Sequence, residues 1–378
     1  MRLFDIALLD DPYPAYAELR EDAAVHHDDG YWCVTRYGDI SRLLRDASLV
    51  AGTGVADSLG LSGGPVYDVM ATWLMAIDGA DHSLARGLVS SVFTPRAVEA
   101  MRADIVRIVD GAIDAMTAAT DDRGRADLVP TVAFPVPLQV VGLLFGVPGD
   151  EWADAVGGLF ARPSSPVALM EGLIEWLAGL VARRRAGPGE DMFSRLFRPD
   201  DVGEQLTDAE LVANGVLLIT AGIETTVSLI GNAVLSVWGG GHAEAGRRDV
   251  VNTVEEVLRF ESPALTTSRR TTRPIELAGT RIPGGANVMF ALAAGNRDPR
   301  RYDEPDRFDV RRTDIRPLGF GGGAHACIGA ALARLEVQVV LSRLLERLPT
   351  MEVDARGVSW RKDNPTVRGP ARLMVRPR

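Results

Sequence analysis

The sequence has almost no lysine and very little cysteine. Lys362 is the only lysine among 41 basic residues, so nearly every positive charge is an arginine, which stays protonated and can hold a carboxylate with two hydrogen bonds. Cys33 and Cys327 are the only cysteines, too few for a disulfide framework. The composition therefore favours salt bridges and anion clamps, and each cysteine must be judged by its own surroundings.

Other absences exclude whole classes of protein. The formal charge of −10 argues against a nucleic-acid binder, because phosphate recognition needs a net basic face. No apolar run reaches the roughly 18 residues that cross a bilayer. The start, MRLFDIALLDD, lacks the basic region and the small-residue cleavage site of a signal peptide. We therefore predict a cytoplasmic protein that binds neither nucleic acid nor membrane.

Helical patterns dominate the chain. Residues 96–119 and 168–185 carry apolar side chains at three- and four-residue spacing, which is typical of amphipathic helices. Thr207 and Glu210 form a capping box, and an apolar stretch runs from it to Gly239, long enough to cross a whole domain. Two more helices are predicted, from about Asp249 to Glu261 and from near Cys327 to about Leu348.

The strand signals are few and short. Two strand-like runs flank Asp29-Gly30, which indicates a hairpin, and further strands are predicted around 275–292. No internal repeat or low-complexity tract is present. The prediction is a mainly α fold with a small β portion, in a single domain over residues 1–378.

The sharpest motif is the glycine-rich loop FGGGAHACIG, which runs from Phe320 to Gly329 and delivers one cysteine to the start of an apolar helix. A helix N-terminus stabilises a thiolate, and glycines let the backbone approach a flat ligand. A buried structural cysteine is the plainer alternative. Zinc is a second one, but His325 and Cys327 supply only two of the four ligands that structural zinc takes.

This loop resembles the haem signature of the cytochrome P450 family, with Phe320, Gly321, Cys327 and Gly329 at its four defining positions. The resemblance implies that Cys327 ligates the iron of haem b (iron protoporphyrin IX) as a thiolate, which favours O–O cleavage. It also implies that Phe320 packs near the sulfur and that His325 binds a haem propionate. The implied fold is a single triangular helical domain around the haem.

Four further segments fit the same family. Glu256 and Arg259 resemble its ExxR pair, whose implied role is structural rather than catalytic. His82 and Arg86 resemble the HxxxR helix, in which both side chains reach propionates. The strand before Gly279 resembles the one whose arginine clamps a propionate; by spacing this arginine is Arg269, with Arg270 as the alternative. Further matches flank the haem loop at 296–299, 305–311 and 332–336.

The long helix carries the sequence AGIETT from Ala221 to Thr226, which resembles the oxygen-activating AGxET motif. The Thr225 hydroxyl can bond the carbonyl of Ala221 and bend the helix into a groove. Glu224 can connect Thr225 to solvent as a proton relay. Polar residues that merely share one helix face are the plainer alternative.

The reaction that the resemblance implies is insertion of one oxygen atom from O₂ into a small organic substrate, by hydroxylation or epoxidation, with a natural-product intermediate as the expected substrate. No dinucleotide or nucleotide motif is present, so electrons are expected from a separate ferredoxin and ferredoxin reductase, which could dock near Arg311, Arg312 and Arg316. Alternatives are a peroxide-driven or oxidative-coupling enzyme and a non-catalytic haem sensor. The predicted substrate-pocket walls, apolar with scattered hydroxyls, are 52–78, 160–180, Leu218 with Ala221, Leu265–Thr267 and 364–367.

Overall fold

The computed structural model describes residues 3–28, 30–51, 60–161, 164–187, 189–199 and 203–378. Within these ranges the α-helices are α1 Leu3–Ala7, α2 Tyr13–Asp22, α3 Tyr37–Leu43, α4 Pro65–Ala71, α5 Gly79–Val92, α6 Pro95–Ala100, α7 Arg102–Ala118, α8 Pro135–Phe145, α9 Gly149–Trp152, α10 Gly158–Ala161, α11 Pro166–Ala186, α12 Met192–Arg195, α13 Asp208–Val234, α14 Ala243–Arg248, α15 Val250–Phe260, α16 Leu292–Asn296 and α17 Ala330–Arg347. The π-helical turns are Val129–Ala133, Ala153–Gly157 and Leu235–Gly239, and the 3₁₀ turns are Leu318–Phe320 and Gly323–His325.

The strands are β1 Val25–Asp28, β2 Tyr31–Val34, β3 Leu49–Val50, β4 Ala126–Asp127, β5 Thr266–Thr271, β6 Ile275–Leu277, β7 Thr280–Ile282, β8 Asn287–Ala291, β9 Glu352–Val353, β10 Ser359–Trp360, β11 Pro370–Arg372 and β12 Met374–Arg376. The prediction of a mainly α fold with a small β portion is therefore confirmed.

The chain divides into two compact units. The first consists of Met1–Val50, Arg102–Pro135 and Glu224–Arg378, and the second of Ala51–Met101 and Val136–Ile223. All the strands of the described ranges fall in the first unit, whereas the second is built from helices.

A five-stranded sheet in the order β1-β2-β8-β5-β3 organises the first unit. The predicted hairpin is its edge: β1 pairs antiparallel with β2, from Val25 opposite Val34 to Asp28 opposite Tyr31. The turn residue Asp29 lies outside the described residues, and Gly30 takes the left-handed φ of +79° that glycine tolerates. Strand β2 then runs parallel to β8, and β8 runs antiparallel to β5.

The core of this unit joins the sheet to the segment that precedes the cysteine loop. Val34, Val288, Phe290, Ile40 and Leu318 belong to one buried cluster. Burial of each large apolar side chain contributes roughly 1.5–3 kcal/mol. The Leu318 turn, which begins the loop, is thereby packed against the sheet and α3.

The second unit has an aromatic core. The rings of Phe145 and Trp152 stack with centroids 5.6 Å apart, and Trp176 meets Trp152 edge-on. Trp152 Nε1 donates to the carbonyl oxygen of Leu138 at 2.6 Å, so its one polar atom is satisfied. Gly142 leaves room for this indole, because a Cβ there would lie 2.9 Å from the ring.

The long central helix begins as the sequence predicts. The Glu210 carboxylate accepts a hydrogen bond from the Thr207 backbone N–H at 2.8 Å, and the Glu210 N–H donates to the Thr207 hydroxyl at 3.2 Å, which completes the capping box. The helix and its final π-helical turn span Asp208–Gly239, 32 residues. It is long and apolar enough to cross a membrane, but 61% of its most apolar window is buried inside the protein, as in the core helix of a soluble protein.

Candidate functional site

The cysteine loop is a chain of tight turns in the first unit. The Leu318–Phe320 turn is closed by a hydrogen bond from the Gly321 N–H to the Leu318 carbonyl at 2.7 Å. The Cys327 N–H donates to the Phe320 carbonyl at 2.8 Å, so the loop folds back on itself. The following helix starts at Ala330, three residues after the cysteine. The Cys327 side chain is exposed, while Cys33 is buried in β2.

Two loop glycines are required by the backbone. Gly321 and Gly323 have φ values of +67° and +69°, which L side chains rarely adopt. A Cβ at Gly323 would also clash with the Leu44 carbonyl oxygen, so the loop rests directly on the end of α3. At Gly329, by contrast, an added Cβ would meet nothing within 4 Å. The loop is therefore in close contact with the chain at Gly323, whereas Gly329 has open space where a side chain would project.

The Phe320 ring is covered by an arginine that the sequence analysis did not single out. The guanidinium carbon of Arg334 lies 4.5 Å from the centre of the ring. Arg334 is fixed by Glu255, which accepts hydrogen bonds from Nε and Nη2 at 2.5 and 3.0 Å. The aromatic side chain beside the predicted ligand is therefore held between the loop and α17.

The Glu256–Arg259 pair is fully buried in the same unit. Both side chains are 0% exposed, and two hydrogen bonds of 2.7 Å join them. Arg259 also donates to the carbonyl oxygens of Asn296, Pro305 and Arg307 at 3.1, 2.7 and 3.1 Å. An exposed salt bridge, the plain alternative for this spacing, is excluded, and the geometry agrees with a structural role.

Asn296 connects this pair to the cysteine loop. Its backbone carbonyl accepts from Arg259, and its side-chain oxygen accepts from the Leu318 N–H at 2.7 Å. Asn296 is itself 0% exposed. The start of the loop is therefore hydrogen-bonded to the buried pair through one residue.

Arg312 is the least exposed of the three arginines predicted for the docking surface. Its side chain is 13% exposed, lies 3.4 Å from Glu256 and donates to the carbonyls of Asp303 and Glu304. Most of its guanidinium is therefore engaged within the first unit. Arg311 and Arg316 are exposed, but each is paired with an aspartate two residues before it, Asp309 and Asp314 respectively.

The two predicted acid–base residues occupy consecutive positions on α13. Thr225 and Glu224 are half-buried. Oε1 of Glu224 lies 2.7 Å from Nη2 of Arg361 and accepts a hydrogen bond from Nδ2 of Asn364 at 3.1 Å. Sequence reasoning missed both partners, because they lie more than 130 positions from Glu224 and belong to no motif. The predicted bond from Thr225 to Ala221 stays a prediction.

The remaining predicted haem contacts are divided between the units. Arg269 lies on β5 in the first unit, half-buried, and its guanidinium donates to the Ser268 carbonyl at 2.7 Å. Arg270 faces the opposite side of the sheet, exposed, and donates to the Gly285 carbonyl at 3.2 Å. His82 (4% exposed) and Arg86 share one face of α5 in the second unit. His325 ends a short turn in the cysteine loop.

The predicted pocket walls are likewise distributed. Residues 52–59 and 162–163 lie outside the described residues, and 60–78, 164–180 and Leu218 with Ala221 belong to the second unit. In the first unit, the Leu265 N–H donates to the Thr366 carbonyl at 2.9 Å, so the two predicted wall segments Leu265–Thr267 and 364–367 are adjacent.

The donor set fits a haem iron with one protein ligand. Cys327 is exposed in a loop whose last residue, Gly329, has open space where a side chain would project. In the part of the chain that the structure describes, no three His, Cys, Asp or Glu side chains group as a metal site, which argues against the zinc alternative.

Comparison with known proteins gives one match to the C-terminal part of the chain and several over nearly its whole length. The Cytochrome P450 family profile matches residues 250–374. Cytochrome P450 107B1 of Saccharopolyspora erythraea is 35% identical and the match covers 99% of this chain and 97% of that protein. The 6-deoxyerythronolide B hydroxylase of the same organism is 36% identical, covering 97% and 96%. The structure of the tirandamycin C-bound P450 monooxygenase TamI is 34% identical, with a TM-score of 0.84 and coverage of 97% and 98%.

Proposed function

The chain belongs to the cytochrome P450 family and is a haem-containing monooxygenase, and we infer that it acts on a natural-product intermediate of moderate polarity. Two similar proteins carry names of this kind, a hydroxylase of 6-deoxyerythronolide B and a monooxygenase bound to tirandamycin C. The predicted pocket walls are largely apolar with scattered hydroxyls, which suits such a molecule better than a highly charged one. Hydroxylation or epoxidation is the reaction proposed.

Cys327 is the proposed axial ligand, and the geometry of its loop is the observation that carries the proposal. Cys327 is exposed, and the loop that carries it is packed at Gly323 against the Leu44 carbonyl oxygen. The cofactor proposed is haem b, which when bound supplies the oxygen-activating chemistry. Phe320, Gly321 and Gly329 shape the loop around the sulfur.

Propionates are proposed to bind cationic and imidazole side chains. Arg269, His325, His82 and Arg86 are the residues proposed to hold them. Ala221 is proposed to lie beside the haem, since a small side chain on α13 leaves room for it. Arginine suits this task because its planar guanidinium binds a carboxylate with two hydrogen bonds.

Protons for the reaction are proposed to pass through Glu224 and Thr225. The Glu224 side chain is 30% exposed, and Thr225, the next residue on α13, is half-buried. A carboxyl group hands a proton on and regains one from water, and a hydroxyl both donates and accepts. An intact acid–alcohol pair favours an O₂-using enzyme over a peroxide-driven one, because peroxide already carries the protons.

Electrons are proposed to come from a cytoplasmic ferredoxin and its reductase. Arg311, Arg312 and Arg316 are the proposed docking residues, and the aspartates beside Arg311 and Arg316 reduce the net charge that an acidic partner would meet.

The Cys327 assignment is tested by the spectrum of the reduced, carbon monoxide-bound protein. Wild type should show the red-shifted Soret band of thiolate ligation, Cys327→Ala should lose it, and Cys33→Ala should keep it. Cys33 is a matched control because it is the only other cysteine and is buried in β2. A band typical of histidine ligation in wild type would show that the proposed ligand is wrong. Loss of the thiolate band in Cys33→Ala would show the same.

A further inference from the structure

The carboxylate of Glu224 is held by two donors from the C-terminal part of the first unit. Nη2 of Arg361 lies 2.7 Å from Oε1 of Glu224, and Nδ2 of Asn364 donates to the same oxygen at 3.1 Å. Both of these contacts meet the same carboxylate oxygen, Oε1, so Glu224 is anchored by a cation and an amide.

Arg361 is itself fixed in place. Its Nε and Nη2 donate to the Asp363 carboxylate at 3.2 and 2.9 Å, and its backbone N–H donates to the Gly369 carbonyl at 3.0 Å. Burial lowers the pKa of Arg361, but Asp363 and Glu224 outweigh that effect and the pKa is raised. The guanidinium is thus a permanent cation with a defined direction.

Asn364 is oriented by its neighbour in the turn. Its side-chain oxygen accepts from the Thr366 backbone N–H at 3.0 Å and from the Thr366 hydroxyl at 2.7 Å. Because both of these groups donate, the amide nitrogen is the atom left to face Glu224. The same turn is tied to the sheet region by the bond from the Leu265 N–H to the Thr366 carbonyl.

We propose that Arg361 and Asn364 are positioning residues for proton supply, holding the Glu224 carboxylate in place while it takes up a proton from water and passes it on. The carboxylate ends each cycle in its starting state, with one proton taken and one delivered. This inference rests on the proposed function of Glu224 as the proton relay. It adds residues that lie in no family motif identified in the sequence.

Dioxygen itself serves as the probe, so that the organic substrate need not be known. The substrate-free holoenzyme is supplied with excess electrons through a surrogate ferredoxin and reductase, and its rate of dioxygen consumption is measured in H₂O and in D₂O. Arg361→Gln should lower the rate by roughly tenfold to 100-fold, since a misplacement of ~1 Å can cost ~10²-fold, and should increase the solvent isotope effect. Arg361→Lys should restore part of the rate because it keeps the cation.

Arg376→Gln is the matched control. Arg376 lies in the same C-terminal region of the first unit, and its replacement removes the same charge. It pairs with Glu352 at 2.5 Å instead of Glu224. Its rate and isotope effect should equal those of wild type. Haem content and the urea midpoint of each variant are measured first. Urea unfolding also supplies a double-mutant cycle of Arg361→Gln with Glu224→Gln. The changes in the free energy of unfolding should be non-additive if the two side chains pair in solution.

The outcomes separate this inference from the function on which it rests. If Glu224→Ala consumes dioxygen as wild type does, the proton relay is wrong and this inference falls with it. If Glu224→Ala is slow but Arg361→Gln behaves like Arg376→Gln, only the positioning role is wrong. The positioning role is also wrong if the losses of rate from Glu224→Ala and Arg361→Gln multiply in the double variant. The same follows if Arg361→Lys restores none of the rate or if the unfolding cycle is additive.

Discussion

Removing the Arg259 side chain should destabilise the fold far more than removing an arginine from a surface pair. The guanidinium makes five hydrogen bonds, two to the Glu256 carboxylate and three to backbone carbonyls. Both side chains of the pair are 0% exposed, so Arg259→Ala leaves a carboxylate in the core without its main partner.

The expected magnitude follows from what remains around Glu256. Breaking a buried pair typically costs about 3–5 kcal/mol. Glu256 keeps the Asp309 backbone N–H, which donates at 2.8 Å, and the guanidinium of Arg312 at 3.4 Å. These contacts stabilise the residual charge, so we expect a loss of about 3 kcal/mol in the free energy of unfolding, or roughly 100-fold in the folding equilibrium.

Urea unfolding of the purified protein, followed by circular dichroism and by tryptophan fluorescence, measures this loss. Arg343→Ala is the control, because Arg343 holds Asp110 with two hydrogen bonds of 2.8 and 3.0 Å but the side chains are 26% and 29% exposed. We expect about 1 kcal/mol or less there. Equal losses in the two variants would refute the argument that burial makes the Glu256–Arg259 pair structural.

Three further predictions concern haem retention, the pH dependence of stability and proton delivery. Arg86→Ala and Arg269→Ala should retain less haem after gel filtration, and Arg270→Ala should retain the wild-type amount; full occupancy in the first two would place the propionates elsewhere. Burial raises the pKa of Glu336 well above its ordinary 4.5, so the wild-type fold loses stability as pH rises from that ordinary value to the raised one. The free energy of unfolding of Glu336→Gln, measured in urea, should therefore increase relative to that of wild type as pH rises. A difference that does not change with pH would contradict this. Thr225→Ala should keep the spectrum and release more hydrogen peroxide per electron pair, and unchanged peroxide yield would show that protons take another route.

The elements that could be predicted from sequence are those with local signals. The capping box at Thr207 and the hairpin at Gly30 each depend on residues within a few positions, and both form as predicted. The helix predicted over 96–119 is instead two, α6 and α7, which meet at Met101. The apolar periodicity continues across Met101, so no local signal marks the break.

The proposed haem loop was recognisable in the sequence because its chemistry needs particular residues at fixed spacing. Glycine is required where φ is positive, as at Gly321 and Gly323, and a cysteine must follow at a set distance. The partners of Glu224 could not be predicted in this way. Arg361 and Asn364 come close to it only through the pairing of C-terminal segments with residues 263–265, and an arginine or an asparagine in a turn carries no pattern of its own.

The buried pair and the proposed ligand are connected by a short series of hydrogen bonds. Arg259 donates to the Asn296 carbonyl, the Asn296 side chain accepts from the Leu318 N–H, and the Phe320 carbonyl in the turn that follows accepts from the Cys327 N–H. A loop in which four of ten residues are glycine has little rigidity of its own, so its geometry must come from these anchors. The pair that stabilises the fold is therefore also the support that fixes where the sulfur lies, and Arg259→Ala should weaken haem retention as well as stability, even though Arg259 is not among the residues proposed to hold the haem.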